Sequence, residues 1–187
     1  PLESRCAARA RAVSSSRPQT LRARPAWIRC AEGSPFASCG CMSIAPFPHH
    51  YTVALGGGEL TAPPRAAIRA GTPPQFGGTD DVWSPEELLV GAALLCLQAT
   101  FDAYAKRASL RVLDWRGTAT GVLEKAPGGP VFTSITLAVE LEVEPGQEER
   151  ASQLLASAEH ACIITRALSV PVTLNATVRA SELRTGT

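Results

Sequence analysis

The stretch from Trp83 to Arg107 constrains this chain more than any other. Ser84-Pro85-Glu86-Glu87 reads as a helix start. Ser84 is a good cap, Pro85 suits the first helical position, and Glu87 stands three after the cap, as in a capping box. Carboxylates in that first turn also complement the helix dipole. Leu88, Leu89, Ala92, Leu95, Cys96 and Ala99 then recur at helical spacing and predict one apolar stripe, in a helix running to about Arg107. Between Leu88 and Leu97 the segment is apolar almost all round, so the helix is expected at the centre of the fold.

Strands are expected on either side of it. Tyr51 to Leu55 reads as a strand, Gly56-Gly57-Gly58 as a turn, and Glu59-Leu60-Thr61 as a returning strand that Pro63-Pro64 ends. Ala66 to Ala70 is ambiguous, and Gly71 to Gly78 is a loop. After the helix, Leu110 to Leu123 and Val131 to Val143 alternate and flank the turn Ala126-Pro127-Gly128-Gly129-Pro130. Ile135, Leu137, Val139, Leu141 and Val143 share one face, with Thr136, Glu140 and Glu142 on the other, the pattern of a half-exposed antiparallel strand. A second helix is expected over Glu148 to His160, with Leu154, Leu155 and Ala158 inward and Cys162 continuing the stripe. Val170 to Val178 is a last strand. Strands, helix, two strands, helix and strand in that order predict an α+β fold with antiparallel sheets.

The first 41 residues have no such periodicity. They carry seven arginines against two acids, a net +5, whereas residues 42–187 are net −4. A mildly acidic body lacks the electrostatic footprint of a nucleic-acid binder. No apolar run approaches the roughly 20 residues of a membrane span, so a soluble protein with no membrane partner is expected. The expected organisation is a leader over 1–41, a domain over 42–180 and a polar tail over 181–187. The leader has the composition of a transit peptide. Met42, the only methionine, also reads as a start, and a disordered tail is the third option. The expected location is the cytoplasm, or an organelle if the leader is a transit peptide.

Cys6, Cys30, Cys39 and Cys41 fall in the leader; only Cys96 and Cys162 fall in the body. A body with a full core pattern needs no disulfide framework. Cys39-Gly40-Cys41 with His49-His50 fits no usual zinc spacing, so no metal or cofactor is expected. Cys96 and Cys162 both lie in apolar helical patterns. Two such thiols, if they meet, support redox chemistry: one thiolate attacks an oxidant and the other closes a disulfide. His160 is two residues from Cys162, but the angle between neighbouring helical positions assigns it to the surface.

Several segments in order resemble the OsmC/Ohr family, the osmotically inducible and organic hydroperoxide resistance proteins. They are Pro73-Pro74-Gln75-Phe76-Gly77-Gly78, the helix start Trp83-Ser84-Pro85-Glu86-Glu87-Leu88-Leu89, Cys96 ten residues after Glu86, the long hairpin ending near Val143, and Ala158-Glu159-His160-Ala161-Cys162. The resemblance covers Tyr51 to Val178. It implies antiparallel sheets wrapped around two central helices and completed by an intertwined homodimer. It also implies a thiol peroxidase that reduces organic, lipid-like hydroperoxides and is recycled by a small thiol or a dithiol protein. Cys96 would be the peroxidatic cysteine and Cys162 the resolving one. Glu86 would match the glutamate that orients an arginine beside the reactive thiol. The chain departs from the family at that arginine. Only Arg65 and Arg69 precede the helix, neither in a matching motif, and this places the chain in a less-characterised branch.

The arginine matters because a free thiol near its ordinary pKa is only about 3% thiolate at neutral pH, and burial lowers that fraction further. A cation would oppose burial and stabilise the leaving alkoxide; without one, slow chemistry is expected. Glu86 and Cys96 stand about 15 Å apart along one helix, so a long side chain from elsewhere must bridge them. Two alternatives remain open: a non-catalytic dimer of this fold that binds a hydrophobic small molecule, and a thiol-based redox sensor.

Overall fold

Ser84 starts the long helix as its sequence dictates. Its hydroxyl accepts from the Glu87 amide at 3.1 Å, and the Glu87 carboxylate accepts from the Ser84 amide at 2.9 Å, closing the capping box. The computed structural model describes residues 46–181. The Cys39–Cys41 pair, Met42 and the leader lie outside those residues, and the part from His50 onward forms one compact unit.

Three short strands come first. β1 (Ala54–Gly56), β2 (Glu59–Thr61) and β3 (Ile68–Arg69) form an antiparallel sheet in sequence order. The segment left ambiguous in the sequence thus supplies β3. The following loop is closed at its base, where the Gly71 amide donates to the Trp83 carbonyl and the Trp83 amide to that of Arg69. Within the loop Pro74–Phe76 makes a 3-10 turn that ends on Gly77 at φ 84°. Gly78 is held so tightly that an added Cβ would overlap the Thr72 carbonyl. The Gly-Gly pair is therefore a requirement of the backbone path.

The main sheet follows the long helix α1 (Pro85–Arg107). β4 (Val112–Ala126) and β5 (Gly129–Val143) pair antiparallel along their length, and β6 (Val172–Ala180) joins the other edge of β5. β6 runs parallel to β5, from Ile135↔Val172 to Val143↔Ala180, so the antiparallel expectation does not extend to that pair. The reason is topological. A parallel partner needs a crossover, and α2 (Glu148–Ala161) and α3 (Ile163–Ala167) provide it.

α1 packs on α2 and β4, and α2 packs on β6, so both helices lie on one face of this sheet. The inward residues of β5 are those its alternation predicts: Ile135, Leu137, Val139, Leu141 and Val143 are all buried. β4 presents Gly117 and Gly121 toward α1. A Cβ at Gly121 would lie 2.7 Å from Val90 Cγ2 and 2.6 Å from Phe132 Cε1, and one at Gly117 2.9 Å from Leu94 Cδ1. Side chains there would push the helix away.

The face of α1 that meets this core is not the one the periodicity selected. Val90, Ala93, Leu97, Phe101 and Ala105 are buried, whereas Leu95 is 67% exposed and Leu88, Ala92, Cys96 and Ala99 are not fully buried. A helix apolar all round carries no signal that chooses between its faces. By length and composition α1 is also long and apolar enough to cross a membrane, contrary to the reading that no segment reaches that limit; its packing makes it a core helix covered on one side.

The helix ends in a Schellman motif. The Leu110 amide donates to the Ala105 carbonyl at 2.9 Å and the Ser109 amide to that of Lys106 at 3.2 Å. Ser109 holds φ 53°, a left-handed conformation that glycine adopts without cost. Ser109→Gly is expected to raise stability by about 0.5–1 kcal/mol, read from the urea midpoint; a lower midpoint would contradict the assigned cap.

Candidate active site

Cys162 does not continue a helix. It sits at the break where α2 stops and α3 starts, with φ −60° and ψ 114°. Leu155 and Ala158 turn inward as expected, Leu154 packs against the core, and His160 is exposed. Cys162 is completely buried, while Cys96, in the middle of α1, is partly open. α3 packs against α1, and this contact brings Cys96 and Cys162 near enough for each thiol to act on the acidity of the other. Both are free thiols. Residues far apart in sequence are thus brought near each other by the α1–α3 contact.

The two thiols are not equivalent. Burial pushes Cys96 above its ordinary value; the Ile164 and Ile163 amides pull against this, and the Cys162 sulfur adds to the rise. Burial also acts to raise Cys162, but the Thr165 hydroxyl and amide, the Cys96 thiol and the Ile164 amide outweigh it, and Cys162 falls below its ordinary value. These amides approach the Cys162 sulfur without closing a regular cap hydrogen bond. Of the two, Cys162 is the more acidic thiol and Cys96 the more accessible one.

Glu86 is the third expected residue. It lies in the first turn of α1, and its Oε2 is buried with no hydrogen-bond partner among the described residues. A buried carboxylate oxygen left so is costly unless a donor reaches it. Arg65 and Arg69 do not. Arg69 Nη2 pairs with Asp81 Oδ2 at 2.8 Å, and Arg65 Nη1 approaches the Ala62 carbonyl at 3.4 Å. The Thr79 hydroxyl and then Arg69 hold Asp81 below the usual carboxylate value. Among the described residues no cation is one of the groups that shift either thiol.

The rim around the thiols is apolar. Ile163, whose amide approaches Cys96, is 66% exposed, and Leu95 beside Cys96 is equally open. The sequence reading missed Thr165. Its hydroxyl donates to the Cys162 carbonyl at 3.2 Å and also acts on the Cys162 sulfur. The signal was Cys-Ile-Ile-Thr, a cap residue with a polar residue three later, legible only once the chain is known to break at Cys162. Among the described residues no cluster of three or more histidines, cysteines or acids is placed to hold a metal.

The fold has counterparts among solved structures. An OsmC-like protein of Mycoplasma pneumoniae superposes with TM-score 0.58 at 16% identity, over 73% of this chain and 100% of its own. An organic hydroperoxide resistance protein OsmC of Legionella pneumophila gives 0.55 at 19%, over 70% and 98%. An organic hydroperoxide resistance protein of Elizabethkingia anophelis, with thiocyanate bound, gives 0.56 at 20%, over 72% and 100%. At these identities the likeness concerns the fold. No curated protein sequence matches the chain. The family model described as OsmC-like protein matches residues 78–176, from the end of the Gly-Gly loop through α1, the hairpin and both cysteines into β6. That is more than half of the sequence, and on it the chain belongs to the OsmC-like family.

Proposed function

We propose that the protein is a thiol-dependent peroxidase that reduces organic hydroperoxides through a Cys96/Cys162 dithiol–disulfide cycle. The observation that carries this reading is the approach of Cys96 and Cys162 across the α1–α3 contact, where each thiol acts on the other. Accessibility assigns the first step to Cys96, since Cys162 is sealed from solvent. Acidity favours Cys162, and the contact reconciles the two: Cys96 passes its proton to the Cys162 sulfur as it attacks. The Cys96 sulfur takes the distal oxygen, the O–O bond breaks, and the departing alkoxide takes the proton back from Cys162 and leaves as an alcohol, which restores the Cys162 thiolate. Cys162 then attacks the sulfenic acid, water leaves, and a small thiol or a dithiol protein returns both sulfurs to thiols. The apolar rim of Leu95 and Ile163 favours a greasy hydroperoxide over hydrogen peroxide.

The working form in this reading is a homodimer. A single chain leaves Leu95, Ile163, Trp83 and Phe76 exposed, and only 28% of the most apolar window of α1 is buried. A second copy would cover that face. Glu86 Oε2, buried without a partner, is where an arginine would be received; this chain's own Arg69 is engaged with Asp81. The second reading, a dimer that binds a hydrophobic small molecule with inert thiols, draws on one observation, that among the described residues no cation opposes the burial of Cys96.

Cumene hydroperoxide consumption with dithiothreitol separates the two. The wild-type chain is expected to turn over, and Cys96→Ser to fall to the uncatalysed rate. Equal rates for both would remove the enzyme reading. Mass analysis of the wild type after one equivalent of hydroperoxide should find Cys96 joined to Cys162.

A further inference from the structure

Most arginines of the described residues already have partners. Arg69, Arg111, Arg116 and Arg179 each pair with a carboxylate, Arg150 donates to the Ala108 carbonyl, and Arg65 approaches that of Ala62. Arg107 and Arg166 remain, with no side-chain hydrogen bond or ion pair among the described residues. Arg107 ends α1, eleven residues past Cys96, which is roughly 16 Å of helix. Arg166 is placed differently. It lies in α3, whose packing against α1 brings the two thiols near each other. Its amide donates to the Cys162 carbonyl at 3.2 Å, which ties its backbone to the site whatever its side chain does. Ile163 stands three positions before it, and both are exposed, so the two share the open face of the short helix with Cβ atoms about 5–6 Å apart. The Cα–Cβ bond of a helical residue tilts toward the helix N-terminus, which in α3 is the end at Cys162. The rim of Leu95 and Ile163 beside Cys96 thus carries one free cation at its edge.

We propose that Arg166 is a specificity-determining residue at the mouth of the Cys96 site: it takes the carboxylate of an amphiphilic hydroperoxide whose apolar chain lies on Leu95 and Ile163. This rests on the peroxidase reading for its role in turnover. Leu95 and Ile163, 67% and 66% exposed, gain from being covered by an alkyl chain. Arg166 presents a planar fork of donors that matches a carboxylate, and it has no acid to release first. The cation is needed locally because residues 42–187 are net −4, and the general field of such a body repels an anion. A neutral hydroperoxide draws only on the apolar part of the rim, whereas one with an acid group draws on both. The gain is several-fold rather than several orders of magnitude, since water reaches both charges at an exposed site.

The test compares linoleic acid hydroperoxide with its methyl ester, using the full chain, dithiothreitol as the reductant, and concentrations below micelle formation. The readout is the ratio of kcat/KM for the acid to that for the ester, which cancels any loss of folded protein. The wild type is expected to favour the acid about fivefold at low salt. Arg166→Gln is expected to bring the ratio to about one, Arg166→Lys to keep part of the preference, and Arg166→Glu to reverse it. Half-molar salt is expected to erase most of the wild-type preference. A glutamine variant that keeps the wild-type ratio, or a wild type that does not favour the acid, overturns the proposal. Binding of linoleate itself, which carries no peroxide, is measured by calorimetry on the same proteins and is expected to weaken about fivefold in Arg166→Gln. If the wild type turns over neither hydroperoxide, the peroxidase reading falls, and linoleate still decides for Arg166: equal affinities, or no binding to the wild type, count against it.

Discussion

Phe101→Ala is expected to lower folding stability by about 3–5 kcal/mol. Phe101 is fully buried on the inner face of α1, between Leu97 and Ala105, and its ring lies 5.2 Å from that of Trp115 on β4 at an interplanar angle of 32°. Alanine removes the ring from a site enclosed by helix and sheet and leaves a cavity that neither element can fill without moving. The aromatic contact, about 0.5–1.5 kcal/mol beyond area, goes with it. The check is the urea midpoint with the slope unchanged. A loss below about 1.5 kcal/mol would show that this face of α1 is not the core, and would return the helix to the orientation its leucine pattern first suggested. Phe101→Leu keeps most of the volume and is expected to lose much less. The effect reaches the thiols as well, because Cys96 is carried on the same helix and its distance from Cys162 depends on how α1 sits against β4 and α2.

The residues that were legible in sequence are those whose role is local. Ser84 and Glu87 close a capping box within four residues, so the helix start could be read to the residue. β5 alternates strictly, and the five residues it assigned to the core are the five found there. The pairing of Cys96 with Cys162 could be expected from two apolar helical patterns and from the family resemblance. What the sequence hid was non-local. The face of α1 that turns inward depends on Gly117 and Gly121 of β4, which admit Val90 and Leu94 at close range, and nothing inside α1 announces those partners. The parallel register of β6 follows from the α2–α3 crossover, and alternation alone does not encode direction. Thr165 was missed because Cys162 was read only as continuing the apolar stripe of the second helix, and the short helical turn after it gave no reason to single out one polar residue.

The exposed side of α1 gives the other large expected effect. Leu88, Ala92, Leu95 and Ala99 follow one another at three- and four-residue spacing, and none is fully covered within one chain. Such a stripe on the central helix calls for a partner of like character, and in the dimer proposed above that partner is a second copy. A two-fold interface repeats each residue, so Leu95→Glu would place two carboxylates in one apolar seam. If each is worth about 2 kcal/mol of lost association, dimerisation weakens about a thousandfold. Sedimentation velocity at micromolar concentration is expected to find the wild type and Leu95→Met as dimers and Leu95→Glu as a monomer. A glutamate variant that remains a dimer would take Leu95 out of the seam, and a monomeric wild type would remove the seam altogether. Activity separates the consequences. Loss of hydroperoxide turnover along with the dimer would mean that the partner completes the site, in which Glu86 Oε2 has no donor among the described residues of one chain. Full turnover by the monomer would mean that the two thiols, as held by α1 and α3 of one chain, suffice.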